Sequence, residues 1–181
     1  MLLDHNEWMK YWENVACKYK PIAHDSDQKV AYARVIDSSR SPFQPYYYTE
    51  EFTTSLRNGM NYPCLIVEST RENYRHNQQM HGYSTCGIVV LMEAEKADYD
   101  SENLAVDQCK KHVAQLVAKL QSEIKAAVGK PAEAHFEKDS LVIHNIGPMG
   151  SKNLFGARAE FVLRRGAEDT LCVNDDLWAV E

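Results

Sequence analysis

The sequence predicts a single α+β domain, in which a mainly antiparallel sheet of about four strands is covered on one face by a long helix. Three observations lead to this prediction: a helical stretch at residues 98–131, a pair of apolar strands on each side of it, and an N-terminal helical segment. Two hairpins flanking one helix favour an antiparallel sheet with the helix packed across it. We expect one domain over residues 1–181, with a helical part at 1–60 and a strand-strand-helix-strand-strand core at 61–181.

The N-terminal part is predicted to begin with an amphipathic helix. Asp4 and Glu7 have the spacing of a capping box, and Pro21 ends the run. One face of this helix is rich in aromatic side chains, which indicates a core-facing stripe or, as the alternative, an anchor on a neighbouring subunit. The stripe consists of Trp8, Tyr11, Trp12, Val15 and Tyr19.

The segments between this helix and the first apolar strand carry weaker signals. Residues 29–36 alternate as a strand would, but their alanines suit a helix, and we favour a helix continuation or an edge segment. Residues 37–48 contain two prolines and no period, which is typical of a loop. Residues 49–58 are predicted to form a short helix that ends at Gly59.

Four strands are predicted, at residues 62–68, 84–94, 141–146 and 153–165. The polar residues 69–83 are expected to form an exposed loop, and residues 147–150 a turn between the last two strands. The fourth strand has the clearest alternation, which predicts one buried and one wetter surface. Its expected inward residues are Ala157, Ala159, Phe161 and Leu163, and its expected outward residues are Arg158, Glu160, Val162 and Arg164.

The long helix has recognisable start and stop signals. Asp98, Asp100 and Ser101 can cap its first N–H groups, and Gly129 and Pro131 end it. Apolar residues recur between them with the three-and-four spacing of one buried stripe. The stripe consists of Val106, Cys109, Val113, Leu116, Val117, Leu120, Ile124 and Val128.

The amino-acid composition argues against several classes of function. The chain has 26 Asp and Glu against 20 Lys and Arg, a formal charge of −6, which weighs against specific nucleic-acid recognition through phosphates. Its apolar runs are shorter than a membrane span, and its polar, aromatic start is unlike a signal peptide. Five widely spaced cysteines are typical of reduced thiols in a cytosol.

Candidate chemistry is weak. Ser84 precedes a strand and does not stand in a nucleophile elbow between a strand and a helix, and no local signature pairs Cys86 with a histidine. Cys109 and His112 have a spacing that can present two metal ligands, but no second pair repeats it. We therefore expect no catalytic residues, no cofactor, no metal and no small-molecule ligand.

Several segments together resemble the tail-terminator, or tail-completion, proteins of long-tailed bacteriophages and related tail-like particles. They are the opening helix, segment 57–68, strand 87–92, the long helix after Asp98-Tyr99-Asp100, the ending 153–163 and the acidic Asp175-Asp176-Leu177-Trp178. The resemblance implies a non-catalytic protein that forms rings, caps the tail tube and meets other tail or neck proteins. It also implies a location in the cytoplasm of a bacterial host and in the virion or tail-like particle.

Two functional hypotheses follow. The first is a structural assembly protein that forms a homo-oligomer through the outward face of the fourth strand, with Arg158, Glu160, Val162 and Arg164 at the interface. Charges of both signs beside an apolar residue suit a head-to-tail contact. The alternative is an intracellular small-ligand module or enzyme with a site near Tyr46, Tyr47, Tyr48, His76, His81 and Cys86.

Overall fold

The computed structural model describes residues 5–35, 59–77, 79–126, 134–149 and 153–166, with the backbone alone at 75–77, 79, 80 and 166. This part of the chain is an α+β structure with a seven-stranded mixed sheet and two α-helices. The elements are α1 (His5–Lys18), β1 (Tyr32–Val35), β2 (Cys64–Glu68), β3 (Arg71–Asn77), β4 (Gln79–Glu93), α2 (Tyr99–Ala126), β5 (His135–Phe136), a 3-10 turn (Lys138–Ser140), β6 (Val142–Met149) and β7 (Leu154–Gly166).

The two longest strands, β4 and β7, form the centre of the sheet. They pair antiparallel over thirteen positions, and Cys86 lies opposite Phe161. The predicted alternation of β7 is confirmed, because the side chains of its inward residues are fully buried. This pairing gives the sheet two distinct surfaces. One is the helix-bearing face, which the helices cover, and we call the opposite surface the second face.

Strands β2 and β3 lie end to end along the same side of β4, to which both are antiparallel. Three residues separate the pair Val67↔Ile88 from Arg71↔Thr85 on one side and two on the other, which is a one-residue bulge. The prediction of an exposed loop at 69–83 is therefore wrong. Residues 71–74 are exposed or half-buried, so they lack the alternation of apolar and polar side chains that would predict a strand. They form a strand because they pair with β4.

Strand β1 lies at one edge of the sheet, parallel to β2, with Tyr32 opposite Leu65. Of the two expectations for residues 29–36, the edge segment is observed and the helix continuation is not. At the other edge, β6 and the short β5 both pair antiparallel with β7. Residues 147–149, expected in a turn, belong to β6.

The expected sheet of about four mainly antiparallel strands is thus correct in class and too small. The additional strands β1, β3 and β5 are short or polar, so the hydrophobic period that reveals strands is weak in them. The parallel pair β1–β2 makes the sheet mixed.

Both helices pack on one face of the sheet and run antiparallel to each other. Trp8 of α1 lies 6.3 Å from Phe161 of β7 between ring centroids, and Tyr19 at the end of α1 contacts His112 of α2. Six residues of the predicted α2 stripe are buried: Cys109, Val113, Leu116, Val117, Leu120 and Ile124. Val106 is only half-buried, and the neighbouring Ala105 is buried instead. Val128 lies outside the described residues.

The start of α2 confirms the capping signals. The Asp98 carboxylate accepts hydrogen bonds from the backbone N–H groups of Asp100 at 3.0 Å and Ser101 at 3.3 Å. The Ser101 hydroxyl in turn accepts the Glu95 N–H at 3.0 Å. The two Asp98 bonds satisfy N–H groups that the first turn of a helix leaves free, and the Ser101 bond ties the preceding segment to it.

Some predicted features lie outside the described residues. They are Asp4, the loop at 37–48, the helix at 49–58, Gly129, Pro131 and the acidic segment at 175–178. Among the helices that are described, none is both long and apolar enough to cross a membrane.

Candidate functional site

The residues predicted for an interface lie together on the second face of the sheet. Arg158, Glu160, Val162 and Arg164 occupy alternate positions of β7, so they project from the surface opposite to Phe161 and the helices. Val142 of β6, which is 48% exposed, lies opposite Glu160 in the register. Val142 was not predicted to be part of an interface, although it lies within a predicted strand.

The second face is not uniform. Val89 and Leu91 of β4 and Ile146 of β6, toward the Gly156 end of β7, are buried. Glu160, Val162 and Arg164, toward the other end of β7, are only half-buried. The accessible half of the second face is therefore the half that carries these three residues, and Arg158 lies at its border, opposite Val89.

Arg158 is the most constrained of these residues. Its Nε and Nη2 donate to the two Glu68 carboxylate oxygens at 2.7 and 2.8 Å, and its Nη1 donates to Glu160 at 2.7 Å. The side chains of Arg158 and Glu68 are only 16% and 17% exposed. Burial lowers the pKa of Arg158, but the hydrogen bonds and charges of Glu68 and Glu160 outweigh burial and raise it. Arg158 is thus a cation fixed by two carboxylates of its own chain.

Gly87 makes this ion pair possible. Glu68 and Arg158 belong to β2 and β7, and the strand between them, β4, places Gly87 opposite Glu160 on the same face. A Cβ at Gly87 would overlap the Glu68 carboxylate. The missing side chain therefore leaves the space over β4 that the Glu68 carboxylate occupies where it meets Arg158.

A second ion pair uses the same arrangement on the helix-bearing side of the sheet. Arg165 of β7 donates to Glu72 of β3 at 3.2 Å, and Gly82 of β4 lies between them. Tyr74 also donates a hydrogen bond to Glu72. Glu72 belongs to the segment 69–83 that was predicted to be a loop, so this ion pair was not predicted from the sequence.

Arg164 and Val162 are held by the β5–β6 edge. Arg164 forms an ion pair with Glu137 at 2.9 Å, in which both side chains are more than a third exposed. The Val162 N–H donates to the Ser140 hydroxyl at 2.9 Å, and its carbonyl accepts the Glu137 N–H at 3.0 Å. The valine side chain remains available because only its backbone is engaged.

The residues of the alternative ligand site are not assembled in the part that the structure describes. Cys86 is buried on the helix-bearing face, whereas His81 is an odd number of positions away on β4 and projects from the other face. The side chain of His76 and the tyrosines 46–48 lie outside the described residues. No described geometry therefore brings a histidine to this thiol.

The buried thiols are unsuited to nucleophilic chemistry. Burial raises the pKa of Cys86 well above its usual value, and its S–H lies 3.5 Å from the Ser84 carbonyl oxygen as a donor. Burial likewise raises the pKa of Cys109 to about 12. Both side chains are protonated at neutral pH, and the thiolate is the reactive form.

The pair Cys109 and His112 also has other contacts. The Cys109 thiol lies 3.9 Å from the Phe155 carbonyl oxygen, and His112 Nδ1 is hydrogen-bonded to the Tyr19 hydroxyl at 2.9 Å. Burial lowers the pKa of His112, which favours the neutral ring. The described residues contain no group of three side chains able to hold a metal ion.

Thiol alkylation tests this description. In a Cys172→Ser background at pH 7.5, we expect iodoacetamide to modify the exposed Cys17 at least tenfold faster than Cys86 or Cys109, because only exposed thiolates react. Peptide mass spectrometry over time measures each rate. Comparable rates in the folded protein would show that the two thiols are accessible and that their pKa values are not raised.

Comparison with known proteins adds no identification. No protein-family model matches the chain, and no curated protein matches it.

Proposed function

We propose that this chain is a non-catalytic assembly protein that forms a homo-oligomer through the accessible half of the second face. The observation that carries the proposal is a pair of exposed or half-buried valines, Val142 and Val162, surrounded by charges that the chain itself orders. Protein interfaces combine an apolar centre with a polar rim, and ordered side chains lose less entropy on association. We call Val142, Arg158, Glu160, Val162 and Arg164 the assembly surface.

The resemblance to tail-terminator proteins makes the proposal specific. It favours a ring that completes the tail of a phage or prophage-derived particle and contacts other tail or neck proteins. A protein with this role works in the cytoplasm of a bacterial host and in the assembled particle. A ring requires a heterologous contact, in which the assembly surface meets a different patch of the next copy.

The position of β6 supports a contact at this edge. In the described part of the chain, β6 pairs with β7 alone, so its outer side has no described strand. Edge strands and their exposed apolar residues are common contact points between subunits.

Replacing the two valines tests the proposal. We expect the wild type to show concentration-dependent association by sedimentation velocity, and the double variant Val142→Asp/Val162→Asp to remain monomeric and folded. A carboxylate in a desolvated contact costs several kcal/mol, whereas on an exposed surface it costs about 0.5 kcal/mol. The valines are better probes than Arg158, whose replacement would remove the guanidinium that Glu68 and Glu160 share.

Leu104→Asp is the matched control, because Leu104 is a 57% exposed apolar residue of α2, on the other side of the sheet. It should associate as the wild type does. The proposed surface is wrong if the wild type is monomeric at high concentration, if the double valine variant still associates, or if only Leu104→Asp dissociates the assembly.

A further inference from the structure

A cleft of about 320 Å³ lies between α1 and β1, at the edge of the sheet opposite to β6. Asn6, Lys10 and Glu13 line it from α1, where their spacing places them on one side of the helix. Tyr32 and Arg34 line it from β1, where they are two positions apart and share the helix-bearing face. The cleft is therefore defined by regular elements.

The cleft concentrates positive charge in an acidic protein. Two cations, Lys10 and Arg34, line it against one carboxylate, Glu13, whereas the chain as a whole has a formal charge of −6. Within the described residues, neither Lys10 nor Arg34 has an ion-pair partner. This differs from Arg158, Arg164 and Arg165, each of which is paired with a glutamate.

His24 adds a third donor to the cleft. It is only 9% exposed and lines the same cleft. Its Nδ1 lies 3.2 Å from the Ala31 nitrogen, and because a backbone N–H can only donate, Nδ1 accepts this bond. The Lys29 carbonyl oxygen, 3.3 Å from the same Nδ1, can only accept, so it forms no hydrogen bond with an Nδ1 that itself accepts. The ring proton is therefore on Nε2, for which the described residues provide no acceptor.

The apolar side of the cleft is fixed in place. The Tyr32 hydroxyl donates to the Met9 carbonyl oxygen at 2.8 Å, which joins α1 to β1, and Met9 is 3% exposed. Because this bond fixes the separation of the two elements, the backbone positions from which Lys10 and Arg34 extend to the cleft are set before any ligand arrives. Such pre-organisation reduces the cost of binding.

We propose that this cleft binds a small organic anion, whose carboxylate or phosphate group is held by Lys10, Arg34 and the His24 Nε2–H. Charge-assisted hydrogen bonds from an ammonium and a guanidinium are the strongest that side chains offer to such groups. The Glu13 carboxylate selects ligands that also carry a hydroxyl or ammonium donor. The proposal is independent of the assembly surface, which lies at the opposite edge and on the other face.

Titration followed by NMR tests the site. The probes are inorganic phosphate and malate, a hydroxy-carboxylate, added at constant ionic strength so that screening does not change. We expect saturable shifts of the His24 and Tyr32 ring signals with at least one probe. The probe that binds more tightly tells whether the anionic group is a phosphate or a carboxylate.

Three variants assign the donors. We expect Lys10→Gln and Arg34→Gln each to weaken binding roughly tenfold or more, the effect of losing one charge-assisted hydrogen bond. His24→Asn should weaken it as well, while Asn Oδ1 continues to accept the Ala31 N–H in place of Nδ1. The matched control is Lys18→Gln, the same change on the same helix outside the cleft, which should leave binding unchanged.

The result of this binding test does not depend on the result of the assembly test. Val142→Asp/Val162→Asp should bind the probe as the wild type does, because both valines are remote from the cleft. The site is refuted if neither probe gives saturable shifts, if the shifts are spread over the protein surface, or if Lys18→Gln weakens binding as much as Lys10→Gln.

Discussion

Replacing Leu120 with alanine is expected to lower the free energy of unfolding by about 2–5 kcal/mol, the range for a buried leucine that leaves a cavity. Leu120 is fully buried in the stripe with which α2 covers the sheet, next to Leu116, Val117 and Ile124. Part of the cost is the lost burial of the side chain, and the rest is the incomplete closure of the space that it filled. Urea titration with a common slope for wild type and variant measures the change.

Lys119 provides the control one position away. Its side chain is 62% exposed and forms an i,i+4 ion pair with Glu123 at 3.0 Å. Lys119→Ala should cost under 1 kcal/mol, because an exposed pair of this kind contributes about 0.3–0.5 kcal/mol. Equal effects of the two substitutions would contradict the burial assigned to this face of α2.

Arg158→Ala is expected to lower the free energy of unfolding by about 3 kcal/mol. The substitution leaves Glu68, which is only 17% exposed, without the guanidinium that neutralises it. The cost arises from the carboxylate left behind more than from the interaction that is lost, because a poorly exposed carboxylate that loses its counter-ion is less well solvated than in water. Thermal or urea unfolding of wild type and variant measures the difference.

Two further variants separate this explanation from a general effect of removing arginine. Arg164→Ala, on the same strand and face, should cost under 1 kcal/mol because its pair with Glu137 is more than a third exposed. Glu68→Met/Arg158→Met should recover most of the loss, because it removes the poorly exposed carboxylate together with the guanidinium, whereas Glu160 is 34% exposed and remains in contact with water. A double variant less stable than Arg158→Ala would show that the loss is one of packing.

The alternation of β7 illustrates what local pattern predicts. Its side chains alternate between a fully buried and a wetter surface, so the residues assigned to the second face follow directly from parity. The same is true of the α2 stripe, where a period of three and four residues selects the buried face. In both elements, the residues whose spacing predicts the buried face lie close together along the chain.

The environment of Arg158 illustrates what the alternation of side chains along a strand does not predict. Alternation predicts that its side chain leaves the core, but its partner Glu68 is 90 positions away along the chain. The two meet only because β2, β4 and β7 are neighbours in a particular register, with Gly87 at the crossing point. Nothing within the local sequence of β7 specifies that glycine.

The cleft has the same origin. Lys10, His24 and Arg34 lie on three separate segments, and only the packing of α1 against β1 places them around one cavity. Residues 29–36 also fit two local structures, and pairing with β2 determines which one forms. A short segment has few local hydrogen bonds to decide its conformation, so its partner strand decides.

The sequence by itself determined the α+β class, the buried stripe of α2 with its Asp98 cap, and the two surfaces of β7. These features depend on spacing between residues that are close along the chain, where helix and strand geometry fix which side chains share a face. Only the tertiary structure decided the strand at 71–77, the ion pair across Gly87 and the cleft beside His24. Those features depend on register and packing between distant segments, which no local period encodes.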